Sequence, residues 1–218
     1  MPHITQPSLT EAALDKTMNL FWKKGYFNTS IEDIISITGI SRAALYKNFG
    51  GKEGLFNAML ARFRKNVTDQ VMSPLQKKTN GMDGIITFFT QFLDLYDTAG
   101  LCSRGCFLVS TAAEVNSHTK DVEKLVKVFL SDLGKSFRSL LMHAKAERLL
   151  KSGVEIDSVA DFLVGNLFGL MTLCRSSAPK QIFENHVHGI TDFIASLTIT
   201  RLSKIKKVHL TKKIGSLQ

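Results

Sequence analysis

Apolar positions recur at helical spacing along nearly the whole chain. Leu14, Met18, Phe21 and Trp22 stripe a first helix that ends at Gly25, with Ser8-x-x-Glu11 as its capping box. Ile31, Ile34 and Ile35 mark a short second helix, opened by the box Thr29-x-x-Glu32 and stopped by Gly39. Ser41 caps a third that runs to about Phe49, where Gly50-Gly51 breaks it. A long fourth helix, from about Lys52 to Ser73, carries Phe56, Met59, Leu60, Phe63, Val67 and Val71 on one face, and Pro74 ends it. Ile85, Phe88, Phe89, Phe92 and Tyr96 stripe a fifth, and after a turn near Gly100 "RGCFLVSTAAEV" supplies a shorter sixth. The seventh spans Val122 to Leu141. "SVADFLVGNLFGLMTLC" is apolar nearly all round, so this eighth helix needs burial on two sides. Phe183, Val187, Ile190, Phe193, Ile194 and Leu197 stripe a ninth. The pattern predicts an all-α fold of about nine helices.

The segment "SRAALYKNFGGKEGLF" breaks the amphipathic rule in an informative way. Two short helices joined through Gly39-Ile40 have the layout of a helix-turn-helix, whose second helix enters the major groove with its N-terminal residues foremost. Arg42 sits at that tip, where it can reach O6 and N7 of a guanine. Ala43 and Ala44 permit close approach and offer methyls to a thymine. Tyr46, Lys47 and Asn48 carry polar tips toward phosphates. Lys52 opens the next helix, where an ammonium and free N–H groups suit a phosphate, and Thr29 and Ser30 offer a second anion site.

Charge supports that reading. The formal net charge of +9 is unevenly placed: residues 1–65 carry a net +4, residues 66–200 a net −1, and residues 201–218 a net +6 without one acidic residue. Both ends suit a polyanion, either nucleic acid or an anionic membrane surface, and a basic tail also serves solubility. The three cysteines, Cys102, Cys106 and Cys174, are too few and odd in number for a disulfide framework and fit a reducing cytoplasm. We read no signal peptide at the start, no stretch apolar enough for a membrane span, and no call for a metal or cofactor.

The run "LFWKKGYFNTSIEDIISITGISRAALYKNFGGKEGLFNAML" resembles the DNA-binding domain of the TetR/AcrR family of transcriptional regulators. Phe21, Gly25, Thr29, Ser30, Ile34, Gly39, Ser41, Leu45, Tyr46, Phe49, Lys52, Glu53 and Leu55 fall at the family's spacing; Gly50-Gly51 and Asn48 depart from it. The resemblance implies a three-helix helix-turn-helix domain at residues 1–52, a helical effector-binding and dimerisation domain at 53–200, and a basic tail at 201–218. It implies a cytoplasmic regulator, usually a repressor, that binds a double-stranded, palindromic operator as a homodimer and is released by a small-molecule effector. Arg42, Ala43 and Ala44 match base-reading positions, and Ser30, Tyr46, Asn48 and Lys52 match phosphate-contacting ones.

The family also pairs its last two long helices across a dimer. Here Gly165 and Gly169 lie four apart on the eighth helix and allow close approach. With Phe168 and Met171, and with His186, Gly189, Ile190 and Phe193 on the ninth, they form the expected seam. An apolar or aromatic effector is expected against Phe63, Val67, Phe89, Phe92, Tyr96, Cys106, Phe129 and Phe168. Two alternatives stay open on the residues. Cys102 and Cys106 beside Arg104 would make a redox or electrophile sensor on the same scaffold. A basic amphipathic tail would make a membrane-surface binding module.

Overall fold

The computed structural model describes residues 10–76, 81–98, 104–114 and 118–199. Among these residues the regular structure is helical, apart from an isolated antiparallel bridge between Leu150 and Thr198. The helices are α1 (Glu11–Lys24), α2 (Ile31–Thr38), α3 (Arg42–Phe49), α4 (Lys52–Phe63, continued by a π-helical turn Arg64–Thr68 and a last turn Asp69–Val71), α5 (Ser73–Gln76), α6 (Gly81–Thr98), α7 (Phe107–Ala113), α8 (Lys120–Ala146), α9 (Ile156–Arg175) and α10 (Lys180–Ser196).

The first three helices start and stop where local chemistry dictates, two residues from the expected cap at α1 and one residue from it at α2. Thr10 caps α1, accepting from the Ala13 N–H at 3.2 Å; the expected box at Ser8 falls outside the described residues. At α2 the box belongs to Ser30 and Asp33, each side chain closing on the other's backbone N–H at 3.0 Å, rather than to Thr29 and Glu32. Ser41 caps α3, accepting from Ala44 N–H at 3.1 Å. Gly39 and Gly50 end α2 and α3 in the left-handed conformation, φ 70° and 72°, which glycine adopts without penalty. Pro74 lies inside α5, after α4 has already ended at Val71.

α4 joins the two halves. Its start packs on α1 and α3; further along it meets α7 and α8. Phe21 and Phe56 meet edge-to-face at 5.1 Å, and Trp22 and Phe63 at 4.8 Å, so α1 and α4 lock through aromatic pairs. Arg62 adds ion pairs to Asp15 and Glu11, each at 2.7 Å. In the second half α8 packs against α6 and α9, and α9 against α10. Phe88, Phe89 and Phe137 form its aromatic centre. Arg138 of α8 bridges Asp157 and Asp161 of α9, both at 2.6 Å.

α9 is long and apolar enough to cross a membrane by length and composition alone. Composition therefore does not support the expected absence of a span. Packing accounts for its apolarity: Ala160, Leu163, Leu170 and Cys174 are fully buried against the rest of the chain.

His118 sits where the halves meet. Its ring stacks on Phe56 at 5.2 Å, nearly parallel, and contacts Tyr26 and Phe27. Burial lowers its pKa below the ordinary 6.5, against a weaker upward pull from Glu114 and Glu53. A base with a depressed folded pKa contributes stability that is present above about pH 6.5 and lost as the pH falls through the folded value. Between pH 7 and pH 5 the melting temperature of the wild type should fall more than that of His118→Phe, which keeps the stack. Equal falls would remove this role.

Candidate nucleic-acid interface and effector cavity

α3 presents two faces. Leu45 is fully buried and Ala44 nearly so, while Arg42, Ala43, Tyr46, Lys47 and Asn48 point to solvent. Ala44 is thus a packing residue, and its methyl is not available to a thymine. Thr29 is the second correction: it is fully buried, and its hydroxyl donates to the Gly25 carbonyl at 2.7 Å, so it has no reach to a phosphate. Ser30 and Ser41 are exposed at the N-termini of α2 and α3, with oxygens occupied as caps and hydroxyl hydrogens still able to donate. Arg42 pairs with exposed Glu32 of α2. A surface pair of this kind holds weakly, so a guanine edge can displace the carboxylate. The Lys52 ammonium lies 4.2 Å from the centre of the Tyr26 ring, and partial burial lowers its pKa.

One tight backbone approach in this half escaped the sequence reading. Gly54, in the first turn of α4, packs against the C-terminus of α3 so tightly that an added Cβ would stand 1.7 Å from the Phe49 carbonyl oxygen. Gly51, at φ 116°, makes the turn between them possible. The spacing of this pair, not the capping of α4, fixes the angle at which α3 is offered.

A small apolar cavity of about 40 Å³ lies at the far end of α4. Phe63, Phe92, Cys106 and Phe129 line it, as do Phe88, Leu167 and Met171. The π-helical turn delivers Thr68 to its wall, with Val71 and Met72 just beyond. π-turns inside helices often mark such sites. Phe89 is instead buried in the aromatic centre against Phe88 and Phe137. Tyr96 packs on Phe183 and donates its hydroxyl to the Ala178 carbonyl at 3.2 Å. Phe168 lines a separate open groove. These three do not line the cavity. The Val67 side chain and Cys102 lie outside the described residues. Burial pushes the Cys106 thiol up to about 11, so it is neutral at pH 7 and a poor nucleophile. Among the described residues no cluster of His, Cys, Asp and Glu has metal-binding geometry.

The Thr68 hydroxyl oxygen is buried with no hydrogen-bond partner. An unsatisfied buried hydroxyl costs about 1–3 kcal/mol, so the near-isosteric Thr68→Val should stabilise the protein by about 1 kcal/mol. Denaturant unfolding checks this, and a destabilised variant would mean the hydroxyl is satisfied in solution.

α9 and α10 leave a face open to solvent. Gly165 and Gly189 are exposed with nothing near an added Cβ, and Gly169 touches His186. Phe193 is half-buried and meets Phe162, which is 47% exposed, with ring centres 4.7 Å apart and planes tilted by 55°. Phe162 and Ile182 were missed as members of this face: their helical spacing reads equally well as core. Met171 and Ile190, expected in the seam, are each only 3% exposed and belong to the chain's own interior.

Known proteins share this arrangement. The family model described as "Bacterial regulatory proteins, tetR family" matches residues 13–59, which span α1–α3 and the start of α4. The model "Tetracyclin repressor-like, C-terminal domain" matches residues 81–188. The HTH-type transcriptional repressor ComR of Escherichia coli (strain K12) is 25% identical over 168 residues, 77% of this chain and 80% of that protein. A TetR transcriptional regulator from Chloroflexus aurantiacus superposes with a TM-score of 0.75 at 21% identity, covering 86% of this chain and 94% of that one. The regulator CifR, solved as a cysteine mutant on 26-bp double-strand operator DNA, gives 0.69 at 21% identity, with 85% and 97% covered. With both halves matched by the family's own models, the chain belongs to the TetR family of bacterial transcriptional regulators.

Proposed function

We propose that the protein is a repressor that binds a palindromic operator as a homodimer and is released by a small apolar or aromatic effector. In this reading residues 1–52 are the reading head, 53–200 the effector-binding and dimerisation body, and 201–218 a basic tail. The observation that carries it is the outward face of α3. Arg42, Ala43, Tyr46, Lys47 and Asn48 face solvent on a helix whose other face is core, Arg42 held only by a surface pair to Glu32. CifR, bound to operator DNA, supports the choice of ligand, and ComR, a repressor, supports the sign of regulation.

α4 supplies the mechanism. It begins with Lys52 at the DNA side, passes Phe63 on the cavity wall, and ends in the turns that carry Thr68 and Val71. A two-fold dimer must fit both recognition helices into major grooves about 34–36 Å apart or a multiple of that. An effector that wedges the cavity end of α4 changes the spacing at the other end. It acts only by preferring the spacing that does not fit DNA. A cavity of about 40 Å³ is too small for most effectors, so binding must enlarge it. The neutral Cys106 thiol favours reversible occupancy over thiolate sensing.

Two substitutions test the DNA reading. Arg42→Ala should cost roughly 1–3 kcal/mol on the true site and leave random DNA nearly unaffected. Lys52→Ala should weaken binding to all sequences and flatten the salt slope by about one unit. Equal losses on specific and random DNA for Arg42→Ala, measured by fluorescence anisotropy, would contradict base reading.

A further inference from the structure

Met171 lines two spaces at once. One is the inner cavity; the other is an open groove of about 280 Å³ bordered by α7 and α9, with Ser110, Glu114, Thr172 and Arg175 on its walls. Neither alone suits a ligand: the first is too small for an aromatic ring, and the second lies open to solvent. Joined, they reach about 320 Å³, the lower end of the range for small-molecule sites. A methionine partition is well suited to joining them, because its unbranched chain re-packs readily.

The groove has a chemical preference. Arg175, at the end of α9, makes no ion pair among the described residues. One of its nitrogens, Nη1, donates to the Trp22 carbonyl and to Ser110 Oγ, both long contacts at 3.3 Å. A guanidinium has five N–H donors in a fork that fits a carboxylate with two parallel bonds. Ser110 keeps a hydroxyl hydrogen to add a third. Among the described residues Glu114 is the one acidic group on the rim, and its field also reaches His118. Gly105 holds the loop close to this arginine: an added Cβ there would stand 2.6 Å from the Met171 carbonyl oxygen and 3.4 Å from Arg175 Cβ.

We propose that the effector is a carboxylate with a slim apolar tail, its head on Arg175 and Ser110 and its tail running past Met171 into the inner cavity. This rests on the reading of that cavity as the effector site. The placement also supplies a route to the reading head. Trp22 of α1 is tied to the site twice, by its carbonyl to Arg175 and by its indole N–H, which donates at 3.1 Å to the carbonyl of Gly105 on the cavity wall. A carboxylate that draws Arg175 toward itself loosens the first tie, and a tail in the cavity strains the second. Trp22 is the chain's one tryptophan, so its emission reports on both.

The test is calorimetry on the full chain with octanoate, octanamide and octylammonium as probes, alongside Trp22 fluorescence. Octanoate should bind at least tenfold more tightly than either of the others and should shift the emission. Arg175→Gln should erase the preference for octanoate over octanamide, and Met171→Ala should tighten octanoate binding. If Arg175→Gln does not fold, Ser110→Asp, which gives Arg175 an internal carboxylate, should erase the same preference. Tighter binding of octylammonium, no binding of any probe, unchanged discrimination in a folded variant, or a silent Trp22 with octanoate bound would each overturn the proposal. DNA binding measured without probe is independent of all these outcomes, so its failure would count against the regulator reading instead.

Discussion

Gly54→Ala should abolish operator binding while leaving most of the helical content intact. The glycine lies half-buried in the first turn of α4, against the C-terminus of α3, and an alanine methyl would meet the Phe49 carbonyl oxygen at 1.7 Å. That oxygen is backbone, so no rotamer relieves the clash; α3 and α4 must separate. Their contact buries Leu45, Leu55 and Phe56, each 1% exposed or less. Overpacking a well-packed interior costs about 1–3 kcal/mol, occasionally more, and a clash this deep belongs at the upper end. Helix propensity works the other way, since alanine exceeds glycine by about 1 kcal/mol inside a helix. The net expectation is about 2 kcal/mol of destabilisation confined to residues 10–63, seen as lost hydrogen-exchange protection in α1–α3. A variant that binds DNA as the wild type does would mean that α3 and α4 can part without changing how the head is presented.

Gly165→Arg should have the opposite signature, a stable protein that no longer binds its site. Nothing lies within 4 Å of an added Cβ at Gly165, so the isolated chain accepts the side chain freely. Helix propensity favours it by up to about 1 kcal/mol. On the face formed with Gly169, Gly189 and Phe193, however, it places a long cation where a partner protomer must approach closely. Sedimentation should show a monomer at micromolar concentration. Losing the second head removes its effective concentration, so specific affinity should fall by about 100-fold or more. A dimeric mass with normal binding would move the interface elsewhere.

Periodicity made the order and extent of the long helices legible, because each must bury one stripe. The head was legible in more detail, since caps and glycines act locally: Ser41 and Gly39 stand where the sequence put them. The errors share a cause. Thr29 versus Ser30 as the cap, and Ala44 as core rather than contact, turn on a rotation of one residue that spacing alone does not fix. Apolar spacing on α9 and α10 does not declare which side meets the chain's own interior, so it puts Met171 and Ile190 in the seam and overlooks Phe162. Gly54, Thr68 and Arg175 carried no signal at all. Each matters through a contact with a residue on another element or through a missing partner, which only the packed chain reveals.

The most direct test of the account is selection of bound sequences from a random double-stranded DNA pool by the full chain, followed by sequencing. A dimer with one reading head per protomer should enrich an inverted repeat, its half-sites spaced by one helical turn or a multiple of it, and Arg42→Ala should blur the guanine positions within each half. Enrichment of no sequence, or of a single unpaired half-site, would contradict a two-fold, base-reading regulator.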